Sequence, residues 1–259
     1  MTRFAALCLS TALLAAPAVA DTALALTGDK TLLMIDTATG AVTATTDVQG
    51  VTRLHGIDYR PGNMTVIGVT ADQAIVVIDP KTGATTPLST MNTKLAIADG
   101  AAVIVDVNPA ADRLRFMSGT TNHRVNMDSG EVTVDGALNW DAGDANTGKP
   151  LMVGAAAYTN SFAKPEKTAM FTLDTAMSAL LQQVKPNDGT TKTIGALGVT
   201  LAGPVAMDVA TKADGSNTAW LVANGGLHTV DVASGKVMSS LAITGTDAMI
   251  RDVAVLPAM

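Results

Sequence analysis

Five short apolar stretches of this chain each hold one polar residue that could do chemistry, and four of the five are aspartates. Carboxylates that converge on one point could hold a hard cation such as Ca²⁺, which could then activate water. If they face a neighbouring segment instead, each can accept backbone N–H bonds and join the two segments. Recurrence favours this structural alternative, because an asymmetric site need not repeat. The five residues are Asp58, Asp106, Tyr158, Asp208 and Asp252.

A second candidate site is the concentration of Arg and Asn residues within positions 108–126. Arg113 and Arg115 alternate with Leu114, so on a β-strand both side chains point to one face, and Arg124 could join them from the next strand. Such a face could bind a carboxylate or phosphate through bidentate hydrogen bonds. Alternatively, the arginines are structural and pair with nearby acids, namely Asp106, Asp112 and Asp128. The candidate ligand-binding residues are Asn108, Arg113, Arg115, Asn122, Arg124 and Asn160.

The elements that must position these residues recur along the chain. In each copy an apolar run ends at an Asp or Asn, and a Gly follows four residues later, except that Ser178 replaces it once. These anchor residues are 43, 47, 48 and 57 residues apart. A period of about 40 to 50 residues built from short strands is typical of four-stranded propeller blades, so we predict an all-β fold, a single five-bladed β-propeller. The anchors are Asp36, Asp79, Asn126, Asp174 and Asp231.

The two ends of the chain each hold part of one repeat. The stretch around Asp252 has no anchor after it, and the anchor Asp36 has no such stretch before it. Joining the ends gives a spacing of 23 residues, within the 16 to 23 of the other copies. We therefore expect residues 249–256 to pair in one sheet with residues 22–46, which closes the ring and leaves no open edge.

Residues 1–20 have the features of a secretory signal peptide. Arg3 supplies the positive start, residues 7–16 the short apolar run, and Ala18-Val19-Ala20 a cleavage site before Asp21. The apolar run is too short to span a bilayer. We expect an exported protein of the bacterial periplasm or the medium, whose mature residues 21–259 form one monomeric propeller domain.

The composition argues against several classes of partner. The formal net charge is −6 and no Lys/Arg cluster exists, so nucleic acids and anionic membranes are poor partners. The single cysteine, Cys8, lies in the signal, so the mature chain lacks disulfides and thiolate metal sites. No later segment is apolar for long enough to cross a membrane. We expect no resident cofactor, with Ca²⁺ as the alternative.

Several short motifs of the chain occupy residues 57–61, 107–109, 112–115, 122–126, 157–160 and 197–199. They resemble motifs of a bacterial exported family called domain of unknown function 4394, and the Asn-Pro…Asp-Arg-x-Arg segment is the most specific of them. The resemblance covers essentially the whole mature chain and implies a propeller-like β fold. It implies no activity, because the family has no established function, and Met127 stands where the family pattern would have Pro.

The leading hypothesis is a non-enzymatic exported propeller that binds a small anionic ligand or a protein partner across one rim. A metal-assisted hydrolase with a cation in the propeller channel is the first alternative, although no distinct general base stands out. A purely structural component of the cell envelope is the second. The sequence nominates no catalytic residue.

Overall fold

A computed structural model of the chain describes residues 21–212 and 214–257, which form β-strands joined by turns. Among these residues the helical structure is one 3₁₀ turn, Pro186–Asp188, and no helix is long and apolar enough to cross a membrane. In chain order the strands are β1 (Thr22–Thr27), β2 (Thr31–Asp36), β3 (Val42–Asp47), β4 (Leu54–Arg60), β5 (Thr65–Thr70), β6 (Ala74–Ile78), β7 (Thr85–Thr90), β8 (Val103–Asn108), β9 (Arg113–Ser118), β10 (Thr121–Val125), β11 (Val132–Val134), β12 (Asn139–Trp140), β13 (Val153–Tyr158), β14 (Met170–Asp174), β15 (Ala179–Lys185), β16 (Thr190–Ala196), β17 (Ala206–Thr211), β18 (Asn217–Ala223), β19 (Gly226–Val230), β20 (Val237–Ala242) and β21 (Ile250–Leu256).

These strands form five sheets arranged as the blades of a ring, which confirms the predicted five-bladed propeller. The first strand of each blade contacts the first strands of both neighbouring blades, so the five first strands surround a central channel. Blade 4 carries one additional strand, β12, which pairs parallel to β16. From the channel outwards, the blades are β21-β1-β2-β3, β4-β5-β6-β7, β8-β9-β10-β11, β13-β14-β15-β16-β12 and β17-β18-β19-β20, numbered 1 to 5.

Blade 1 closes the ring with strands from both ends of the chain. The C-terminal strand β21 is its innermost strand and pairs antiparallel with β1, with Leu256 opposite Thr22 and Asp252 opposite Leu26. The expected pairing of the chain ends is therefore confirmed. Closure removes the open sheet edge that an incomplete blade would leave beside the channel.

In four blades the anchor residue begins the turn between the third and fourth strands, whereas Asp174 of blade 4 begins the turn between the second and third strands, β14 and β15. Asp36 is representative, because its Oδ1 accepts the N–H groups of Ala38 and Thr39 at 2.9 Å and its carbonyl oxygen accepts the N–H of Gly40 at 2.8 Å. Gly40 has a φ of 74°, and a Cβ there would lie 2.3 Å from the carbonyl oxygen of Ala242 on blade 5. The glycine therefore satisfies both the left-handed turn and the close packing of adjacent blades.

Apolar side chains fill the spaces between blades, and one interface is smaller than the rest. Among the described residues, the cluster between blades 3 and 4 holds seven buried apolar side chains, whereas the other four clusters hold eleven to fourteen. Polar groups occupy part of this smaller interface, as described below.

Deleting residues 250–259 should unfold the domain rather than fray one end. The deletion removes the innermost strand of blade 1 and its contacts with blades 2 and 5, so the ring loses two interfaces together. Circular dichroism on heating should show loss of the cooperative transition, whereas a control lacking only residues 257–259 should melt like the full chain. A truncated protein that melted within a degree or two of the full chain would contradict the closure argument.

Candidate functional site

The four aspartates of the inner strands each accept a backbone N–H from the next blade. The donors are Ile57 to Asp252, Val107 to Asp58, Tyr158 to Asp106 and Val255 to Asp208, at 2.8, 2.5, 3.1 and 2.5 Å. These bonds join blade 1 to 2, 2 to 3, 3 to 4 and 5 to 1. A Cβ at Gly56 would lie 2.4 Å from Oδ2 of Asp252, so the glycine leaves room for that link.

The same carboxylates converge in the channel. Asp58, Asp106 and Asp208 are buried, and each places one oxygen within 4.8 Å of the others. Burial raises the pKa of Asp252 to about 8 and that of Asp208 to about 6. Burial also raises the pKa of Asp58 and Asp106 well above the usual range, and the neighbouring carboxylates raise both further. The two arrangements weighed from the sequence, channel-facing and blade-linking, therefore occur together.

Blade 4 has Tyr158 in place of an aspartate, and a buried arginine lies beside it. The Arg115 side chain is 2% exposed, and its Nε donates to the Tyr158 hydroxyl at 3.2 Å. Its Nη1 donates to Asp135 at 2.7 Å and to Asn122 at 2.8 Å. Its Nη2 donates to Asn187 of blade 4 at 3.2 Å. Arg115 thus links blades 3 and 4, the junction with the smallest apolar cluster.

The six candidate ligand-binding residues do not meet at one place. Arg124 joins Arg115 and Asn122 through Asp135, which accepts both guanidinium groups. Asn108 and Arg113 form the pair two residues along β8 and β9 from Asp106 and Arg115, and the Asn108 side chain accepts the N–H groups of the β8–β9 turn. Asn160 exchanges hydrogen bonds with Asn217 of blade 5. Their ligand-binding role stays a prediction.

The acidic partners of the arginines differ from those we expected. Asp112 and Asp128 both bind Arg60, whose guanidinium makes bidentate contacts of 2.6 to 3.0 Å with the two carboxylates. Arg60 comes from blade 2 and both acids come from blade 3. The contact therefore joins two blades through residues that are 52 and 68 positions apart in the sequence. The partner of Arg115 and Arg124 is Asp135 instead, because Asp135 directly follows β11 and lies opposite Asn122 on β10, whose carbonyl oxygen accepts its N–H at 2.9 Å.

A cavity of about 1060 Å³ opens at one rim of the channel. All five inner strands begin at this rim, because each runs in the same direction along the channel. The loops before these strands complete the wall. At or near the start of each strand, the wall includes His55, Val103, Val153, Val205 and Arg251.

Arg251 contributes a positive charge to this cavity and has no ion-pair partner among the described residues. Its Nε donates to the carbonyl oxygen of Gly28 at 2.7 Å and its Nη2 to that of Leu54 at 3.0 Å. Further contacts to the carbonyl oxygens of His55 and Asp29 are 3.5 Å long. Burial, followed by the charge of Arg53, lowers the pKa of Arg251. The neighbouring acids Asp252 and Asp29 raise this pKa and offset part of the effect, so Arg251 is a partly buried cation held mainly by backbone carbonyl oxygens.

Arg251 was not among the candidate site residues that the sequence predicted. Arg251 directly precedes Asp252, so the residue stood in a stretch already singled out. Its surroundings depend on ring closure, since β21 brings it beside β4 and the β1–β2 turn. An arginine placed next to a repeat aspartate at only one blade is the signal that could have nominated it.

Comparisons with known proteins agree with the fold. The family model described as Domain of unknown function (DUF4394) matches residues 31–254. A structural genomics protein of unknown function from Bacteroides thetaiotaomicron VPI-5482 is similar at 14% identity and a TM-score of 0.52, over 94% of this chain and 68% of that one. A protein of unknown function from Bacteroides caccae is 12% identical with a TM-score of 0.42, over 92% and 99%. No curated protein matches the sequence.

The free energy of unfolding should fall as pH rises from about 5 to about 9. Unfolded aspartates titrate near a pKa of about 3.9, whereas Asp208 and Asp252 titrate near 6 and 8 in the fold. The folded chain therefore holds more protons in this range, so deprotonation destabilises it. Thermal melts with a chelator present should show a declining melting temperature across this range. A melting temperature that rose towards pH 9 would contradict the burial of these carboxylates.

Replacing Arg115 by Ala should lower the stability by about 3–5 kcal/mol, because it leaves the Asp135 carboxylate, 5% exposed, without its main partner. The melting temperature should fall by roughly 10 °C for a domain of this size. Arg113→Ala is the matched control, since Arg113 is partly exposed and has no acidic partner among the described residues. Equal, small effects of both changes, with loss of anion binding in Arg115→Ala, would instead favour the ligand-binding hypothesis.

Proposed function

The chain belongs to the family described as Domain of unknown function (DUF4394), and we propose that it is an exported, non-enzymatic β-propeller that binds a small anionic ligand at one mouth of its channel. The observation that carries the proposal is the Arg251 guanidinium, which lines the cavity and has no acidic partner among the described residues. Concave sites with a few convergent polar groups are where proteins bind small molecules.

The hydrogen bonds of Arg251 leave one of its N–H donors available for a ligand. A guanidinium has five N–H donors, and four backbone carbonyl oxygens lie within reach of this one. Two of the four contacts are 3.5 Å long and weak. An anion in the cavity would accept the remaining donor and replace the weak contacts with charge-assisted hydrogen bonds.

Arg53, a neighbour of Arg251, adds to the positive field. Arg53 also lines the cavity and pairs with Asp29 at 2.5 Å on the exposed rim. His55 lies between the two arginines and the β5–β6 turn, with Nε2 3.3 Å from the carbonyl oxygen of Ala71. Burial lowers the pKa of His55, and the charges of Arg53 and Arg251 lower it further. All three groups would be stabilised by a bound anion.

The anion should bind weakly as acetate or inorganic phosphate, and its affinity should depend on Arg251. Titration calorimetry at low ionic strength should show at least a ten-fold loss in Arg251→Gln, since a charge-assisted hydrogen bond contributes about 1.5–3 kcal/mol. Lys81→Gln, in the exposed β6–β7 turn, is the control and should bind like the native chain. Loss of binding in Arg113→Gln but not in Arg251→Gln would place the site at blade 3.

The alternative of a metal-assisted hydrolase is favoured by one observation, the convergence of Asp58, Asp106 and Asp208. Calcium takes oxygen ligands at about 2.3–2.6 Å, so two oxygens on opposite sides of one ion are about 5 Å apart. One carboxylate oxygen from each of the three aspartates lies within 4.8 Å of the others, which fits such an ion. These three residues would hold the ion, and a bound cation would supply an activated water. Against this alternative, the same carboxylates already accept backbone N–H bonds. Stoichiometric metal in purified protein, lost in Asp106→Asn, would favour it.

Export is the remaining part of the proposal. Residues 1–20, which carry the predicted signal, lie outside the described residues. The first strand begins at Thr22, so cleavage after Ala20 would leave blade 1 intact. N-terminal sequencing of protein from the periplasm or the medium should begin at Asp21, and retention of Met1 there would contradict the proposal.

A further inference from the structure

We propose that the ligand at the channel mouth is an amphipathic monocarboxylate, whose carboxylate binds Arg251 and whose apolar body covers the opposite wall. The inference rests on the proposed anion site and names the class of ligand. It follows from how charge and apolar surface are divided around the cavity.

The cavity wall has two chemically different sides. The cationic side is formed by blades 1 and 2, with the guanidinium groups of Arg251 and Arg53 and the His55 imidazole between them and the β5–β6 turn. The opposite side comes from the loops before the inner strands of blades 3, 4 and 5 and is mainly apolar. Its larger accessible side chains are Ile97, Leu151, Met152 and Pro204, whereas the Leu95 side chain is buried in the core. Met152 is 53% exposed at this mouth, a large apolar side chain in contact with solvent.

The apolar side is held in place before any ligand binds. The loop between β7 and β8 carries Leu95 and Ile97, and the Gln73 side chain is buried beneath it. The Gln73 amide donates to the Leu95 carbonyl oxygen and accepts the Leu95 N–H, both at 2.8 Å. This paired contact fixes the loop as a strand neighbour would. A preformed apolar wall gains affinity because the ligand need not order it.

The charge around the site limits the ligand to one negative charge. Arg53 is already paired with Asp29, so Arg251 is the cation without an acidic partner on this wall. Asp99 also lines the cavity. A second negative charge on the ligand would face this carboxylate rather than a cation. A carboxylate fits this balance better than a phosphate monoester.

The size of the cavity indicates that the ligand has a substantial body. At about 1060 Å³ the cavity lies at the upper end of ordinary ligand pockets, which hold about 300–1,000 Å³. A carboxylate alone would fill little of it. Each methylene placed against the apolar side should raise affinity by about three-fold, the equivalent of about 0.7 kcal/mol for a largely buried CH₂.

The test is a calorimetric titration of the full protein with acetate, butyrate, hexanoate and octanoate, together with hexan-1-ol and inorganic phosphate. We expect affinity to rise about three-fold per methylene along the acids, and hexan-1-ol and phosphate to bind at least ten-fold more weakly than hexanoate. Met152→Asn should flatten the dependence on chain length. The matched control is Met238→Asn, which changes a 68% exposed methionine on the outer strand β20 and should leave the dependence unchanged.

Arg251→Gln should weaken all the acids, but Arg251 also bonds the β1–β2 turn and β4 and the variant could fail to fold. Arg53→Gln, at a side chain that is 47% exposed, provides a folded variant in which hexanoate should bind more weakly. Arg251-dependent binding of acetate and phosphate without any gain along the series would overturn this inference and leave the anion site standing. Hexan-1-ol binding as tightly as hexanoate would also overturn it. No binding of any anion would overturn both proposals.

Discussion

The hydrogen bond from a backbone N–H of one blade to a buried carboxylate of the preceding blade is the interaction on which the ring depends. Adjacent inner strands lie side by side around the channel but belong to different sheets, so they share no ladder of backbone hydrogen bonds. A side chain must therefore supply the polar contact between them. The aspartate side chain fits between adjacent strands and reaches a backbone N–H of the next one. At Gly56 the absence of a Cβ leaves room for the Asp252 carboxylate. The arrangement buries several carboxylates in a small volume, and this burial is the main reason why their pKa values rise.

The fivefold pattern is broken at blade 4, and the surrounding structure differs there. Tyr158 stands where the other blades have an aspartate, so no such carboxylate extends from blade 4 to blade 5. The preceding interface has the smallest apolar cluster and depends instead on the buried Arg115 network. A buried charged network demands complete pairing, because each unpaired member would carry a large desolvation cost. The β12 strand lies on the outer edge of the same blade and covers it.

The architecture could be predicted from the sequence because it depends on short sequence patterns that repeat along the chain. An Asp or Asn before a turn, and a residue of positive φ four positions later, are short-range requirements, and they recur in the blades with Gly at that position except for Ser178. The pairing of the two chain ends could also be predicted, because the C-terminal repeat lacks an anchor residue and the N-terminal repeat lacks the stretch that precedes one. The site could not be predicted to the same degree, because its contacts are long-range. Nothing in the spacing assigns Asp135 to Arg115 or Asp112 to Arg60, and Arg251 meets Leu54 only after the ring has closed.

Closure by β21 also has a consequence for the order of folding. Its pairs with β1 join residues more than 220 positions apart, whereas the hairpins of the other blades join near neighbours. Contacts between distant residues form slowly, because the intervening chain must lose its freedom before they contribute stability. Blades 2 to 5 can each assemble as soon as their own strands are present. Blade 1 must wait for the end of the chain, and until then β1 exposes an unpaired edge that invites association with other chains. The synthesis of β21 therefore decides when the unpaired edge of β1 stops being open to aggregation.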